Sequence, residues 1–134
     1  MKIYFAGSIR GGRDFAVDYE QIVARLGAHG AVLTEHVADQ NLSDHGETLS
    51  DEQIFQRDIN WLREADLVVA EVSQPSLGVG YEIAAGLALG KPIVCLFRPE
   101  SGSLSAMIGG NRDLEVIEYT GIDELFIKLE KFLV

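Results

Sequence analysis

Glu82 closes the segment Ser76-Leu77-Gly78-Val79-Gly80-Tyr81-Glu82, which lies between an apolar run, Leu67 to Val72, and a helical pattern from Ile83 to Leu89. The glycines predict a loop that carries this carboxylate into the first helical turn. There the positive end of the helix dipole favours the ionised form by roughly 0.3 to 1 kcal/mol. In open α/β sheets ligands gather beyond the carboxyl ends of the strands, so Glu82 is aimed at the place a substrate would occupy. Capping of its helix explains an acidic residue there equally well.

Asp58 is the second carboxylate of interest. Ile54, Trp61, Leu62 and Ala65 recur around it at helical spacing, so it lies along the apolar stripe of its helix and not opposite it. A carboxylate in that position must be hydrogen-bonded, paired or functional, because burying it alone is costly. Burial raises its pKa, which suits a proton donor; a salt bridge or a cap from a neighbouring loop accounts for it as well. Together Asp58 and Glu82 make a two-carboxylate glycosidic mechanism available, one assisting the leaving group and the other attacking the anomeric carbon. Tyr4, at the end of the first apolar run, is placed either to orient the nucleophile through its hydroxyl or simply to fill the core.

A third constellation is Gly7-Ser8-Ile9-Arg10-Gly11-Gly12-Arg13, just before a helix. Free amides at a helix start, a serine hydroxyl and Arg10 for a bidentate contact are the chemistry of a phosphate cradle. The spacing is neither a Walker loop nor Gly-x-Gly-x-x-Gly, which argues against nucleoside triphosphates and dinucleotides. A flexible turn with solvated arginines fits the same residues. His36 and His45 lack any matching ligand spacing, and no metal role is assigned to them.

Positioning these residues requires alternating strands and helices. Strands are predicted at Lys2 to Ala6, Ala31 to Thr34, Leu67 to Val72, Pro92 to Phe97 and Leu114 to Tyr119. Phe15, Tyr19, Ile22, Val23 and Leu26 mark a helix between the first two, and Ser50 with Gln53 forms a capping box for a helix running to Ala65. Further helices close at Gly90 and span Ile122 to Leu133, and the polar stretch Asp39 to Thr48 reads as a surface loop. Strands apolar on both faces and joined by helices imply α/β architecture: one domain over residues 1–134, a doubly wound five-stranded parallel sheet in the flavodoxin/Rossmann-like order 2-1-3-4-5, flanked by helices.

The 134 residues suffice to bury about two thirds of the unfolded surface without disulfides or metal. The single cysteine, Cys95, falls in an apolar run and reads as a small buried hydrophobe. A formal net charge of −10 argues against a nucleic-acid polymer partner, which needs many cations for its phosphates. No apolar run approaches transmembrane length, and Met1 leads directly into a strand and not a signal peptide, so a cytoplasmic enzyme without membrane contact is expected.

Taken with Leu33-Thr34-Glu35-His36-Val37, Asp58 with Trp61-Leu62, Ala70-Glu71-Val72-Ser73-Gln74-Pro75 and Cys95-Leu96-Phe97-Arg98-Pro99 followed by Leu104-Ser105-Ala106-Met107, the segments above cover nearly the whole chain. In this order they resemble the 2′-deoxynucleoside 5′-phosphate N-hydrolase family, within the nucleoside 2-deoxyribosyltransferase superfamily. The resemblance implies hydrolysis of a deoxynucleoside monophosphate to free base and deoxyribose 5-phosphate, with no cofactor. It implies Glu82 as nucleophile, Tyr4 as its orienter and Asp58 as acid or positioning group. Ser8, Arg10 and Ser76 would hold the 5′-phosphate, with Ile9 beside them and Gly7, Gly11, Gly78 and Gly80 letting the backbone approach. It further implies a homodimer in which Ser105 reaches the neighbouring active site. The family's preference for deoxyribose is chemically reasonable, since without a 2′-hydroxyl an oxocarbenium-like transition state is less destabilised. The segment Asp39 to Asp51 and the run Gly109-Gly110-Asn111-Arg112 carry no matching motif, so base preference is not implied. Base exchange by a deoxyribosyltransferase, cleavage of cytidine monophosphates and non-catalytic nucleotide sensing are the alternative readings.

Overall fold

Alternation along the central strands divides the molecule into two apolar layers. In β1 (Lys2–Ala6), Ile3 and Phe5 face one side while Tyr4 and Ala6 face the other; in β3 (Leu67–Glu71), Leu67 and Val69 are set against Val68 and Ala70 in the same way. The computed structural model describes residues 1–9, 15–39 and 47–134. Arg10 and Gly11 of the expected phosphate cradle, with Gly12, Arg13 and also His45, lie outside the described residues.

The sheet has the order β2-β1-β3-β4-β5 and every pairing is parallel, as the sequence predicts. β2 is Ala31–Val32, β4 is Ile93–Phe97 and β5 is Glu115–Glu118. One apolar layer takes its helical residues from α1 (Ala16–Leu26) and α5 (Ile122–Leu129), the other from α2 (Asp51–Glu64) and α3 (Leu77–Ala88). Tyr4 therefore points into the α2/α3 layer, fully buried, because of its parity on β1. At the entry to β2 a side chain on Gly30 would meet the Met1 carbonyl oxygen at 2.2 Å, so only glycine permits that approach.

Besides one-residue differences at strand ends and a last helix that ends at Leu129 and passes into a 3-10 turn, Glu130–Phe132, two boundaries differ in ways that bear on the site. β2 stops at Val32 and does not reach Thr34, and a 3-10 turn, Glu35–Ala38, follows. The reason lies in the Thr34 hydroxyl, which accepts from the Phe5 N–H at 2.8 Å and donates to the Phe5 carbonyl at 2.6 Å. It thus replaces both backbone partners of a longer strand. The second difference is that α3 begins at Leu77, so Gly78 and Gly80 sit in its first turn and not in a loop. Ser76 is the N-cap and accepts from the Val79 N–H at 3.2 Å, while Val79 and Ile83 bury one face. Glu82 consequently lies beyond the first turn. By contrast the capping box on α2 forms as read: Gln53 N–H to Ser50 Oγ at 3.1 Å, and Ser50 N–H to Gln53 Oε1 at 3.0 Å.

Candidate active site

A cleft of about 1080 Å³ opens along the α2/α3 layer at the carboxyl edge of the sheet. It brings together Asp58 from α2, Glu82 from α3 and Ser76 from the α3 N-cap, with Gly7 and Ile9 from the loop after β1 and Ser105 at the N-cap of α4 (Ala106–Gly109). Tyr4 reaches Glu82 from below: its hydroxyl donates a short hydrogen bond to Glu82 Oε2. The helix that carries Glu82 is placed by Val79 and Ile83, whose burial against the sheet leaves the intervening carboxylate turned into the half-buried cleft.

Burial sets the electrostatics here. It pushes the Glu82 carboxyl up to about 8; the nearby Asp58 charge adds to the rise, and the Tyr4 hydrogen bond and Arg57 oppose it. Burial also pushes the Tyr4 hydroxyl far above its ordinary range, helped by Glu82 and Asp58, so this phenol stays protonated and remains a donor. Asp58 is raised above its ordinary value by burial, against the lowering influence of Arg57.

Four more of the residues nominated from the sequence, Gly7, Ser8, Ser76 and Ser105, are placed as follows. Ser8 is fully buried, and its N–H donates to the Tyr19 hydroxyl of α1 at 3.0 Å. Gly7 lies against the same ring: a Cβ there would stand 3.0 Å from Tyr19 Cε2 and 3.1 Å from Phe5 Cε2. Tyr19 thus braces the backbone after β1 from behind. Ser76 Oγ is occupied in capping α3, and Ser105 is exposed and accepts from the Met107 N–H at 3.3 Å. Gly80 has open space where a side chain would stand, and Gly78 has only Ser76 Oγ at 3.8 Å. Among the described residues no group of three His, Cys, Asp or Glu side chains is arranged to hold a metal ion, and no helix is long and apolar enough to cross a membrane.

Two clusters escape the sequence reading. Arg57 bridges Asp58 and Glu47, with its Nη1 at 2.6 Å from Glu47 Oε1 and its Nε at 2.9 Å from Asp58 Oδ1. Nothing in the spacing advertises a pair ten residues apart across a loop. The other is Glu71, fully buried at the end of β3. Its carboxylate accepts from the Ser73 N–H at 2.6 Å, the Ser73 hydroxyl at 3.1 Å and, by a short bond, the Tyr119 hydroxyl. Ser73 Oγ in turn accepts from the Arg98 N–H at 2.9 Å, and the Arg98 guanidinium lies over the Tyr119 ring and pairs with Asp18 at 3.0 Å. Parity on β3 turns Glu71 toward the α1/α5 layer, away from Glu82. It ties together the ends of β3, β4 and β5 just before the segment that carries Ser76. A charge inside an otherwise apolar strand was the available signal.

A five-stranded parallel sheet in this order, with a cleft beyond the carboxyl ends of its strands, defines a doubly wound α/β protein. Residues 3–116 match the family described as Nucleoside 2-deoxyribosyltransferase, and the chain belongs to that family. A 5-hydroxymethyl-dUMP N-hydrolase of Mus musculus is 60% identical over 114 residues, which are 83% of this chain and 66% of the mouse protein. One of the same name from Tetraodon nigroviridis is 53% identical over 137 residues, covering 98% of this chain and 96% of its own. Among solved structures, a CMP N-glycosidase from Clostridium botulinum shares the fold with a TM-score of 0.65 at 20% identity, over 98% of this chain and 99% of that one.

Proposed function

We propose that this chain hydrolyses the N-glycosidic bond of 2′-deoxynucleoside 5′-monophosphates, releasing the free base and 2-deoxyribose 5-phosphate. The observation that carries this reading is the convergence of Tyr4, Asp58 and Glu82 on one cleft that Ser76 and Ser105 also line. The relatives named 5-hydroxymethyl-dUMP N-hydrolase support it and make that nucleotide a substrate to test. Two facing carboxyl groups share one proton more readily than they bear two charges. In the reactive form that proton is on Asp58 and Glu82 is the anion, steadied by the Tyr4 hydroxyl. Glu82 attacks C1′, the C1′–N bond breaks with its electrons passing to the base, and Asp58 protonates the base. Water then attacks C1′ of the glycosyl ester, gives its proton to Asp58 and returns Glu82 as a carboxylate.

In this reading Ser8, Arg10 and Ser76 hold the 5′-phosphate, and Gly7, Ile9, Gly11, Gly78 and Gly80 shape the approach to it. The chain works as a homodimer, with Ser105 of one copy reaching the phosphate bound by the other. Support comes from the rim of the cleft, where Leu77 is 96% exposed and Met107 82% exposed, large apolar groups that a second copy would cover. The reaction calls on no cofactor.

The test is incubation with each deoxynucleoside monophosphate, 5-hydroxymethyl-dUMP among them, alongside the ribo counterparts and unphosphorylated nucleosides, with and without a second free base. Chromatography is expected to show base and deoxyribose 5-phosphate from the deoxynucleotides, with no new nucleotide formed from the added base. Base exchange would replace hydrolysis with transfer, and full turnover by Glu82→Ala would remove the nucleophile. Sedimentation at micromolar concentration is expected to give a dimer.

A further inference from the structure

Arg57 and Asp58 are consecutive on α2, and consecutive helical side chains diverge by about 100° and do not normally face each other. Here they do: Arg57 Nε and Nη2 each lie 2.9 Å from Asp58 Oδ1. The guanidinium is bent back into that position by three other groups. Glu47 takes both terminal nitrogens, Nη1 at 2.6 Å and Nη2 at 2.8 Å. Trp61, one turn further along α2, supplies a ring whose centre is 4.7 Å from the guanidinium carbon. His36 stacks obliquely on Trp61 and approaches Arg57 Nη2 at 3.4 Å and Glu47 Oε1 at 3.2 Å. A fork held on two edges and one face is a rigid part.

We propose that Arg57, fixed by Glu47 and Trp61, is a positioning residue that aims Asp58 at Glu82 across the cleft. This rests on the reading of Asp58 as the proton-handling group of the hydrolysis. The groups facing Asp58 are Arg57 on its own helix, Glu47 ahead of that helix, His36 from the 3-10 turn, Glu82 from α3 and Tyr4 from β1. Arg57 is the permanent cation among them. It limits the rise that burial imposes on Asp58 and holds that carboxyl on one bearing, so that its proton faces the departing base. Removing it frees the Asp58 rotamer and leaves burial largely unopposed.

The test combines kinetics with a titration that needs no turnover. With the deoxynucleoside monophosphate that the wild type cleaves best, Arg57→Gln is expected to lower kcat at least tenfold while KM changes less than about threefold. The acid limb of its pH profile is expected to move up by one pH unit or more. In an Asp58→Asn background the same change is expected to cost less than twofold of the residual rate. Carbon-13 NMR of the Asp58 carboxyl is expected to show its titration rising by one unit or more. Glu47→Asp, which keeps both charges but slackens the clamp on Arg57, is expected to move both readouts the same way by less, and it serves where Arg57→Gln does not fold. An unmoved Asp58 titration overturns the proposal. So does a loss undiminished in the Asp58→Asn background, or a KM rise confined to phosphorylated substrates, which would make Arg57 a phosphate ligand. If the wild type cleaves no nucleotide, the functional reading fails, while the titration still decides the positioning role.

Discussion

Replacing Tyr4 by Phe is expected to produce an enzyme that is slower at neutral pH yet active further into the alkaline range. Desolvation in the cleft pushes the Glu82 carboxyl up to about 8, and Tyr4 opposes this by donating to the ionised form. A hydrogen bond to a charged group is worth about 1.5 to 3 kcal/mol, and about 1.4 kcal/mol corresponds to one pKa unit, so its loss raises Glu82 by about one to two units. Two consequences follow from one cause. Within the singly protonated carboxyl pair, the fraction with Glu82 as anion falls about ten- to a hundredfold, and kcat/KM on the neutral plateau falls with it. The alkaline limb, where the pair loses its last proton, moves from about pH 8 to about pH 9 to 10. The assay is kcat/KM for base release from pH 5 to 10, with circular dichroism to confirm that the isosteric variant keeps its fold. A loss of rate with an unmoved alkaline limb would mean that Tyr4 orients Glu82 without setting its charge. A wild-type rate still climbing through pH 9 would refute the shared proton itself.

Three further outcomes are expected. Glu82→Gln stabilises the fold as pH rises: between its ordinary value of 4.5 and about 8 the folded chain retains a proton that the unfolded chain releases, so wild-type stability falls across that window. The variant escapes this loss, and its melting temperature should exceed the wild type's by about 10 °C or more at pH 8 and by little at pH 4.5, a trend whose reversal would deny the desolvation of Glu82. Tyr119→Phe leaves the buried Glu71 carboxylate short of a donor and should cost about 2 kcal/mol in urea unfolding, a neutral result showing that Ser73 alone suffices. Gly7→Ala pushes a methyl group against Tyr19 and Phe5, which should cost about 1 to 3 kcal/mol and raise KM for monophosphates more than for nucleosides. Equal KM changes for both would detach Gly7 from phosphate recognition.

Periodicity was enough to place every strand in the sheet and to set the strand order, because continuous apolar runs joined by helices leave few topologies open. The capping box at Ser50 was equally legible, being a local pattern of two side chains. What local pattern misreads is the start of α3: glycines at 78 and 80 look like a loop until Ser76 is seen to cap, and Val79 and Ile83 to bury, the same turn. The early end of β2 depends on Thr34 reaching Phe5 on another strand, a contact with no local trace. Tyr4, Asp58 and Glu82 could be nominated one at a time from residue type and position. Their convergence, and the clamp of Glu47 on Arg57, arise from packing between elements distant in sequence.

The sheet keeps its two tyrosine-bonded acids on opposite sides. Glu82 sits above one face with Tyr4 beneath it, while Glu71 occupies the other with Tyr119 and Arg98. Reshaping the substrate side, whether by selection or in the laboratory, therefore leaves untouched the ballast that locks three strand ends together. A protein built this way can explore new leaving groups on one flank while its resistance to unfolding is underwritten by the other.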